Sequence, residues 1–104
     1  MSLQVKDTHG QVLSRVEKKI KEPSLYKVLL HNDDYTTMDF VIMILETVFH
    51  KGRAEATRIM LNVHQQGIGV AGLFPYEIAE TKAATVHGLA RKNEFPLRCS
   101  LERA

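Results

Sequence analysis

The chain has 104 residues, of which 44% are apolar and 25% charged, so it has the size and composition of one globular domain and excludes a two-domain enzyme. Fourteen Lys and Arg residues against twelve Asp and Glu residues leave a net charge of +2. This net charge is smaller than that of a dedicated nucleic-acid-binding protein, whose basic residues must neutralise phosphates.

Cysteine usage and hydropathy predict a cytoplasmic protein. A single cysteine, Cys99, excludes an intramolecular disulfide and a zinc site built from several thiolates, and fits a reducing compartment. The first 22 residues are polar and charged and lack the apolar run of a secretory signal. No stretch approaches the about 20 apolar residues of a membrane span, so we expect no membrane partner.

Residues 1–22 differ from the rest of the chain. They carry five basic and three acidic side chains, whereas residues 24–104 carry nine of each and are neutral. The early segment has no aromatic residue and only a weak helical stripe, and a helix this short is marginal in water. We therefore expect a flexible tail over residues 1–22 and a folded domain over residues 23–104.

The folded part begins with a predicted strand at Tyr26–His31, which is rich in apolar and β-branched residues. The run Asn32–Asp34 ends that strand with turn-forming residues. Thr36 is the predicted N-cap of a first helix, which we expect to stop at Gly52. Its apolar residues recur at helical spacing: Met38, Val41, Ile42, Leu45, Val48 and Phe49.

A second helix is predicted from about Arg53 to Gln66, with Gly67 in the position that closes a helix. An apolar strand interrupted by glycines follows at Ile68–Phe74. Pro75 suits the first turn of a third helix, which Asn93 and Pro96 bring to an end.

The last predicted strand shows strict alternation. Leu97, Cys99 and Leu101 alternate with polar residues, which is typical of a strand with one buried face. The complete order is β-α-α-β-α-β. We therefore predict an α+β two-layer sandwich, in which a three-stranded antiparallel sheet packs on three helices.

Two polar features could carry function. The cluster Asn32–Asp34 is either a turn that caps a helix or a group of amide and carboxylate side chains that receives a cation. His64 shares an apolar helix face with Met60 and Val63, where a histidine is most often only partly buried. If His64 faces the Asn32 loop, its neutral imidazole can accept a proton from a ligand ammonium.

A rival hypothesis is a small hydrolase or metal protein that uses Asp33, Asp34, His64 and Cys99. Cys99, however, lies in an alternating strand, and the acidic and histidine spacing matches no metal template. The sequence contains no nucleophile-elbow, P-loop or H-E-x-x-H motif. We therefore expect no catalytic residue, no metal and no other cofactor.

Several separated motifs, in order, resemble the ClpS family. The resemblance covers about residues 23–104 and rests on six segments: Pro23–Val28, Asn32–Thr36, Met38–Val41, Arg58–His64, Ala79–Lys82 and Pro96–Glu102. It implies the α+β sandwich predicted above, a fold similar to the C-terminal domain of the ribosomal stalk protein.

The resemblance also implies a function, that of the bacterial N-end rule adaptor. Such an adaptor binds proteins by an N-terminal Leu, Phe, Tyr or Trp and delivers them to the ClpA unfoldase of the ClpAP protease. Asn32 and His64 match groups that bind the free α-amino end directly, and Asp33 matches one that acts through water. Six other positions match the lining of the side-chain pocket: Thr36, Met38, Val41, Met60, Val63 and Leu97. Glu77 and Lys82 match positions that contact the unfoldase.

The chain departs from the family pattern at a few positions. Thr37 stands where proline is usual, at the start of the helix that lines the pocket, and His31 stands where an aliphatic residue is more usual. A second rival, a ribosome-associated protein-binding domain of the same fold, would not use Asn32, Asp33 and His64 together.

Overall fold

An antiparallel sheet with three helices against one face forms the domain in the computed structural model, which describes residues 23–104. The elements are β1 (Leu25–His31), α1 (Met38–Thr47), α2 (Arg53–Gln66), β2 (Ile68–Pro75), α3 (Tyr76–Lys92) and β3 (Arg98–Arg103). The strand order is β2-β1-β3. The predicted two-layer fold is therefore confirmed, while the predicted tail, residues 1–22, lies outside the described residues.

The central strand β1 joins the two layers. Val28 and Leu30 are fully buried, whereas the residues between and beside them are only partly buried, as period-two alternation requires. Leu30 pairs with Cys99 of β3, which is also buried, so the helix-facing side of the sheet is continuous across the strands. This apolar side and the inner faces of the helices form one core.

The helix α1 begins at a different threonine from the one predicted. Thr37, not Thr36, is the N-cap, and its hydroxyl oxygen accepts a bond from the Phe40 N–H at 3.1 Å. The Thr36 hydroxyl is engaged elsewhere, because it donates to the Asp33 carboxylate at 2.7 Å. Thr37 has a φ of −74°, within the range that proline imposes, so threonine keeps the backbone shape and adds a cap.

The same helix ends earlier than predicted. It stops at Thr47, and Gly52 is instead the N-cap of α2. Between the two helices His50 has a φ of +55°, a left-handed conformation that breaks the helical path. The glycine signal therefore marked the start of the second helix and not the end of the first.

Two glycines set the approach of α2 to β2. Gly67 ends the helix with a φ of +85°, a conformation that residues with a Cβ rarely adopt. A Cβ built on Gly69 would lie 2.7 Å from Cγ2 of Val63, so the absence of a side chain lets α2 pack closely on the strand.

The third helix follows β2 directly and packs with small residues. Ala79, Ala83, Val86 and Ala90 recur at helical spacing and are buried, while Leu89 is partly buried. None of the helices in the described part of the chain is long and apolar enough to span a bilayer.

A polar cluster occupies the sheet face opposite the helices. His31 Nδ1 lies 3.4 Å from Nη2 of Arg98, and because guanidinium only donates, Nδ1 is the acceptor. His31 Nε2 then carries the hydrogen and donates to the Ser100 hydroxyl at 2.6 Å. Burial and the neighbouring Arg98 charge lower the pKa of His31.

This cluster predicts a pH dependence of stability. Because the folded state holds the His31 pKa below its ordinary value of about 6.5, folding favours the neutral imidazole, and the free energy of unfolding falls as pH decreases through that range. We expect His31→Val to remove this component, so the variant loses less stability than wild type between about pH 7 and about pH 5. Urea unfolding at a series of pH values measures it, and two parallel pH profiles would contradict the prediction.

Candidate functional site

The end of β1 and the end of α2 are held together by one backbone hydrogen bond. The Asn32 N–H donates to the Gly67 carbonyl at 2.9 Å. Gly67 follows His64 by three residues, so the bond places the last turn of α2 beside the residue that follows β1. As a result Asn32 and His64 line the same cavity, although 31 intervening residues separate them in the chain.

The loop after β1 is organised by Asp33. One carboxylate oxygen accepts bonds from the Tyr35 N–H at 2.8 Å and the Thr36 N–H at 2.7 Å, and the other accepts from the Thr36 hydroxyl at 2.7 Å. Partial burial opposes ionisation, but the bonds from Thr36 and Tyr35 outweigh it and lower the pKa of Asp33. The ionised carboxylate therefore fixes the loop at neutral pH.

A cavity of about 230 Å³ opens between this loop, the start of α1 and the second half of α2. Its walls combine polar and apolar side chains: Asn32, Asp33, Asp34, Thr36, Met38, Val41, Met60, Val63 and His64. Val41, Met60 and Val63 are buried and contribute apolar wall, whereas Met38 is 45% exposed and stands at the mouth. The site thus has an apolar interior and a polar rim on one side.

Most of the residues predicted for the pocket therefore meet in one place, although their roles stay predictions. Leu97 is the exception. It is buried, with 4% exposure, immediately before β3, and is not among the residues that line the cavity. Asp34 belongs to the run Asn32–Asp34, which the sequence offers as a possible cation-receiving group, but the resemblance assigns it no role; it lines the cavity. The sequence feature that could have identified Asp34 as a site residue is its position directly after Asn32 and Asp33.

The two residues predicted to contact the unfoldase lie on α3, outside the cavity lining. Glu77 is exposed in the first turn of the helix. Lys82 is half-buried, and its ammonium donates to the Val48 carbonyl at 2.7 Å. That ammonium also lies 5.2 Å from the ring centre of Phe74 and 5.9 Å from that of Phe49. Lys82 therefore ties α3 to the end of α1.

The rival hydrolase hypothesis loses its nucleophile. Cys99 is buried in β3, does not line the cavity, and burial raises the pKa of its thiol to about 12. Its backbone N–H donates to Nε2 of His87, not to His64. Within residues 23–104 no group of three or more His, Cys, Asp or Glu side chains is arranged to hold a metal ion.

Known proteins match most of the chain. A sequence model of the family described as "ATP-dependent Clp protease adaptor protein ClpS" matches residues 21–100. The ATP-dependent Clp protease adapter protein ClpS of Syntrophus aciditrophicus is 62% identical over 86 residues, covering 83% of this chain and 80% of the relative. That of Desulfotalea psychrophila is 63% identical over 83 residues, covering 80% and 81%.

A solved structure agrees with these matches. Agrobacterium tumefaciens ClpS2, bound to L-phenylalaninamide, superposes with a TM-score of 0.76 at 39% identity, covering 79% of this chain and 99% of that one. The predicted family resemblance is thus confirmed by sequence and by fold, and the chain belongs to the ClpS family of ATP-dependent Clp protease adaptor proteins.

Proposed function

We propose that this adaptor binds proteins by a free N-terminal Leu, Phe, Tyr or Trp and delivers them to a ClpA-type AAA+ unfoldase, which feeds the ClpAP protease. The observation that carries the proposal is a single cavity with apolar walls and a polar rim that includes Asn32 and His64. The related ClpS2 is bound to L-phenylalaninamide, a ligand with one free amine and one bulky side chain. The same two chemical groups match the two parts of this cavity.

The size of the cavity suits one side chain. Its volume of about 230 Å³ lies below the about 300–1,000 Å³ that pockets for drug-sized molecules occupy. Burying one Leu or Phe side chain between Val41, Met60 and Val63 contributes roughly 1.5–3 kcal/mol. Only a ligand that ends at this point can also place an ammonium at the rim.

The polar rim supplies the second half of recognition. The Asn32 side-chain carbonyl and the neutral imidazole of His64 are acceptors that an ammonium can donate to, and Asp33 acts through water. Each charge-assisted bond contributes about 1.5–3 kcal/mol. The Asp34 carboxylate lines the same rim and adds negative charge beside the ammonium. Side-chain burial and amine binding together offset the cost of association.

The first prediction from this proposed function tests the amine. Acetylating the N-terminus of a Leu- or Phe-starting peptide removes the charge and donor protons, which leaves Asn32 and His64 without their partner. We expect binding to be lost, as measured by fluorescence anisotropy or calorimetry with matched free and acetylated peptides. Equal affinities would refute the assignment of the rim.

The second prediction concerns His64. Its imidazole offers the ligand's ammonium an acceptor nitrogen, and alanine offers none. We expect His64→Ala to bind Leu- and Phe-starting peptides more weakly by about 1.5–3 kcal/mol, the contribution of one charge-assisted bond. Calorimetry on both proteins measures this difference, and equal affinities would remove His64 from the amine site.

The third prediction concerns side-chain selection. Met38 lines the cavity and is 45% exposed, so we expect its side chain to crowd the Cβ of a bound residue. Ile and Val branch at Cβ and are stiff there, so we expect wild type to reject them and Met38→Ala to admit them. Leu and Phe should bind Met38→Ala no better, and up to about 1 kcal/mol worse, because contact is lost.

The measurement is affinity for four peptides that differ only in the first residue, on both proteins. If the ratio of Ile to Leu affinity is the same in wild type and Met38→Ala, Met38 is not the selecting residue.

The fourth prediction separates docking from folding on α3. Glu77 is exposed, so Glu77→Ala should weaken binding to the unfoldase N-terminal domain and leave stability unchanged. Lys82→Ala should weaken docking and also lower the free energy of unfolding by about 1–2 kcal/mol, because the bond to Val48 is lost. Surface plasmon resonance and urea unfolding measure the two effects. Full stability in Lys82→Ala would show that its internal contacts contribute nothing.

A further inference from the structure

Gly69 of β2 lies directly behind one wall of the cavity. A Cβ built on Gly69 would lie 2.7 Å from Cγ2 of Val63, well inside the contact distance of two carbon atoms. Val63 is 3% exposed and lines the cavity. Gly69 is also buried but is not among the residues that line the cavity. Val63 therefore separates Gly69 from the cavity.

The backbones on both sides of this contact are held in place. Gly69 pairs with Leu30, a fully buried residue of the central strand β1, so β2 cannot move away from the helix at this point. The end of α2 is tied to the end of β1 by the backbone hydrogen bond of 2.9 Å described above. A Cβ on Gly69 would lie 3.4 Å from the backbone nitrogen of Val63 and 3.5 Å from the carbonyl oxygen of Ile59. The helix backbone therefore has room for that Cβ, whereas the Val63 side chain does not.

The free space beside Val63 is the cavity itself. Valine in a helix has one strongly preferred χ1 rotamer, so its methyl group does not simply rotate out of the way. The interior of a protein is close-packed, whereas the cavity holds about 230 Å³ of open volume. A side chain pushed away from β2 at this point therefore moves into the cavity.

We propose, on the basis of the function proposed above, that Gly69 is a specificity-determining residue that sets how large a first side chain the cavity accepts. It acts by leaving Val63 its place against β2, and it touches no ligand, so its role is that of a positioning residue. A Cβ at Gly69 shifts Val63 into the cavity. The largest first residue, Trp, then loses the most affinity, and Leu, the smallest of the four, loses the least.

The test compares wild type with Gly69→Ala on the full chain, using peptides that differ only in a first Leu, Phe or Trp. We expect the ratio of Trp to Leu affinity to fall about tenfold in Gly69→Ala, with Phe between them, because overpacking is felt most by the ligand that fills the site. Calorimetry measures the affinities, and urea unfolding shows that each variant is folded in the assay. A loss of stability alone would lower all three affinities by one factor and leave the ratio unchanged.

Two further variants locate the effect. Val63→Ala removes the methyl group that the new Cβ would displace, so adding Gly69→Ala to Val63→Ala should leave the Trp-to-Leu ratio of Val63→Ala unchanged. Gly72→Ala is the matched control on the same strand. Its Cβ would lie 2.7 Å from Cε2 of Phe74, which does not line the cavity, so this variant should keep the wild-type ratio.

Three results would overturn the proposal. The first is a Gly69→Ala protein that loses the same factor for every peptide or for none, and the second is a fall in the ratio that persists in the Val63→Ala background. The third is a Gly69→Ala protein that does not fold, because Val63 would then have no free space to enter. Failure of wild type to bind any of the peptides would instead overturn the proposed function itself.

Discussion

The cavity depends on the backbone hydrogen bond between Asn32 and Gly67. It joins the end of the central strand to the end of α2 at 2.9 Å, and both residues lie where their elements stop. Gly67 reaches this position only because its left-handed φ turns the chain back from the helix into β2. Without that reversal His64 would not stand beside Asn32, and the polar rim would not form.

The rim is also built before any ligand arrives. Asp33 uses both carboxylate oxygens to hold the backbone and hydroxyl groups of the loop, and Thr37 caps the helix that follows. A loop fixed by its own bonds loses little further freedom on binding, so more of the interaction energy remains as affinity. Asp33 therefore stabilises the loop of the site independently of any contact that it makes with an amine.

Two of the helices, α1 and α3, are coupled by one lysine. Lys82 lies on α3, near the exposed surface that includes Glu77, but its ammonium binds the carbonyl that follows α1 and sits over two aromatic rings. The helix that begins with Met38 at the cavity mouth therefore ends at a contact with the proposed docking helix. A partner that binds this part of α3 would therefore contact Lys82, which also stabilises the core.

The sequence by itself determined the element order and the fold class, because hydrophobic spacing encodes which face of an element is buried. It also carried the family resemblance, since the separated motifs recur in order, and that resemblance, not the spacing, implied most of the cavity lining. Spacing cannot say which neighbour satisfies a polar group. Thr36 and Thr37 are equal as N-caps until Asp33 takes the Thr36 hydroxyl. Gly52 fits the end of one helix or the start of the next, until the left-handed backbone of His50 ends the first helix before Gly52 is reached.

Packing decides the remaining assignments. Leu97 alternates as a buried strand residue should, but only packing decides that it joins the core and not the cavity lining. Only the folded chain brings Lys82 to Val48. These assignments depend on contacts between residues distant in sequence, which the tertiary structure alone supplies.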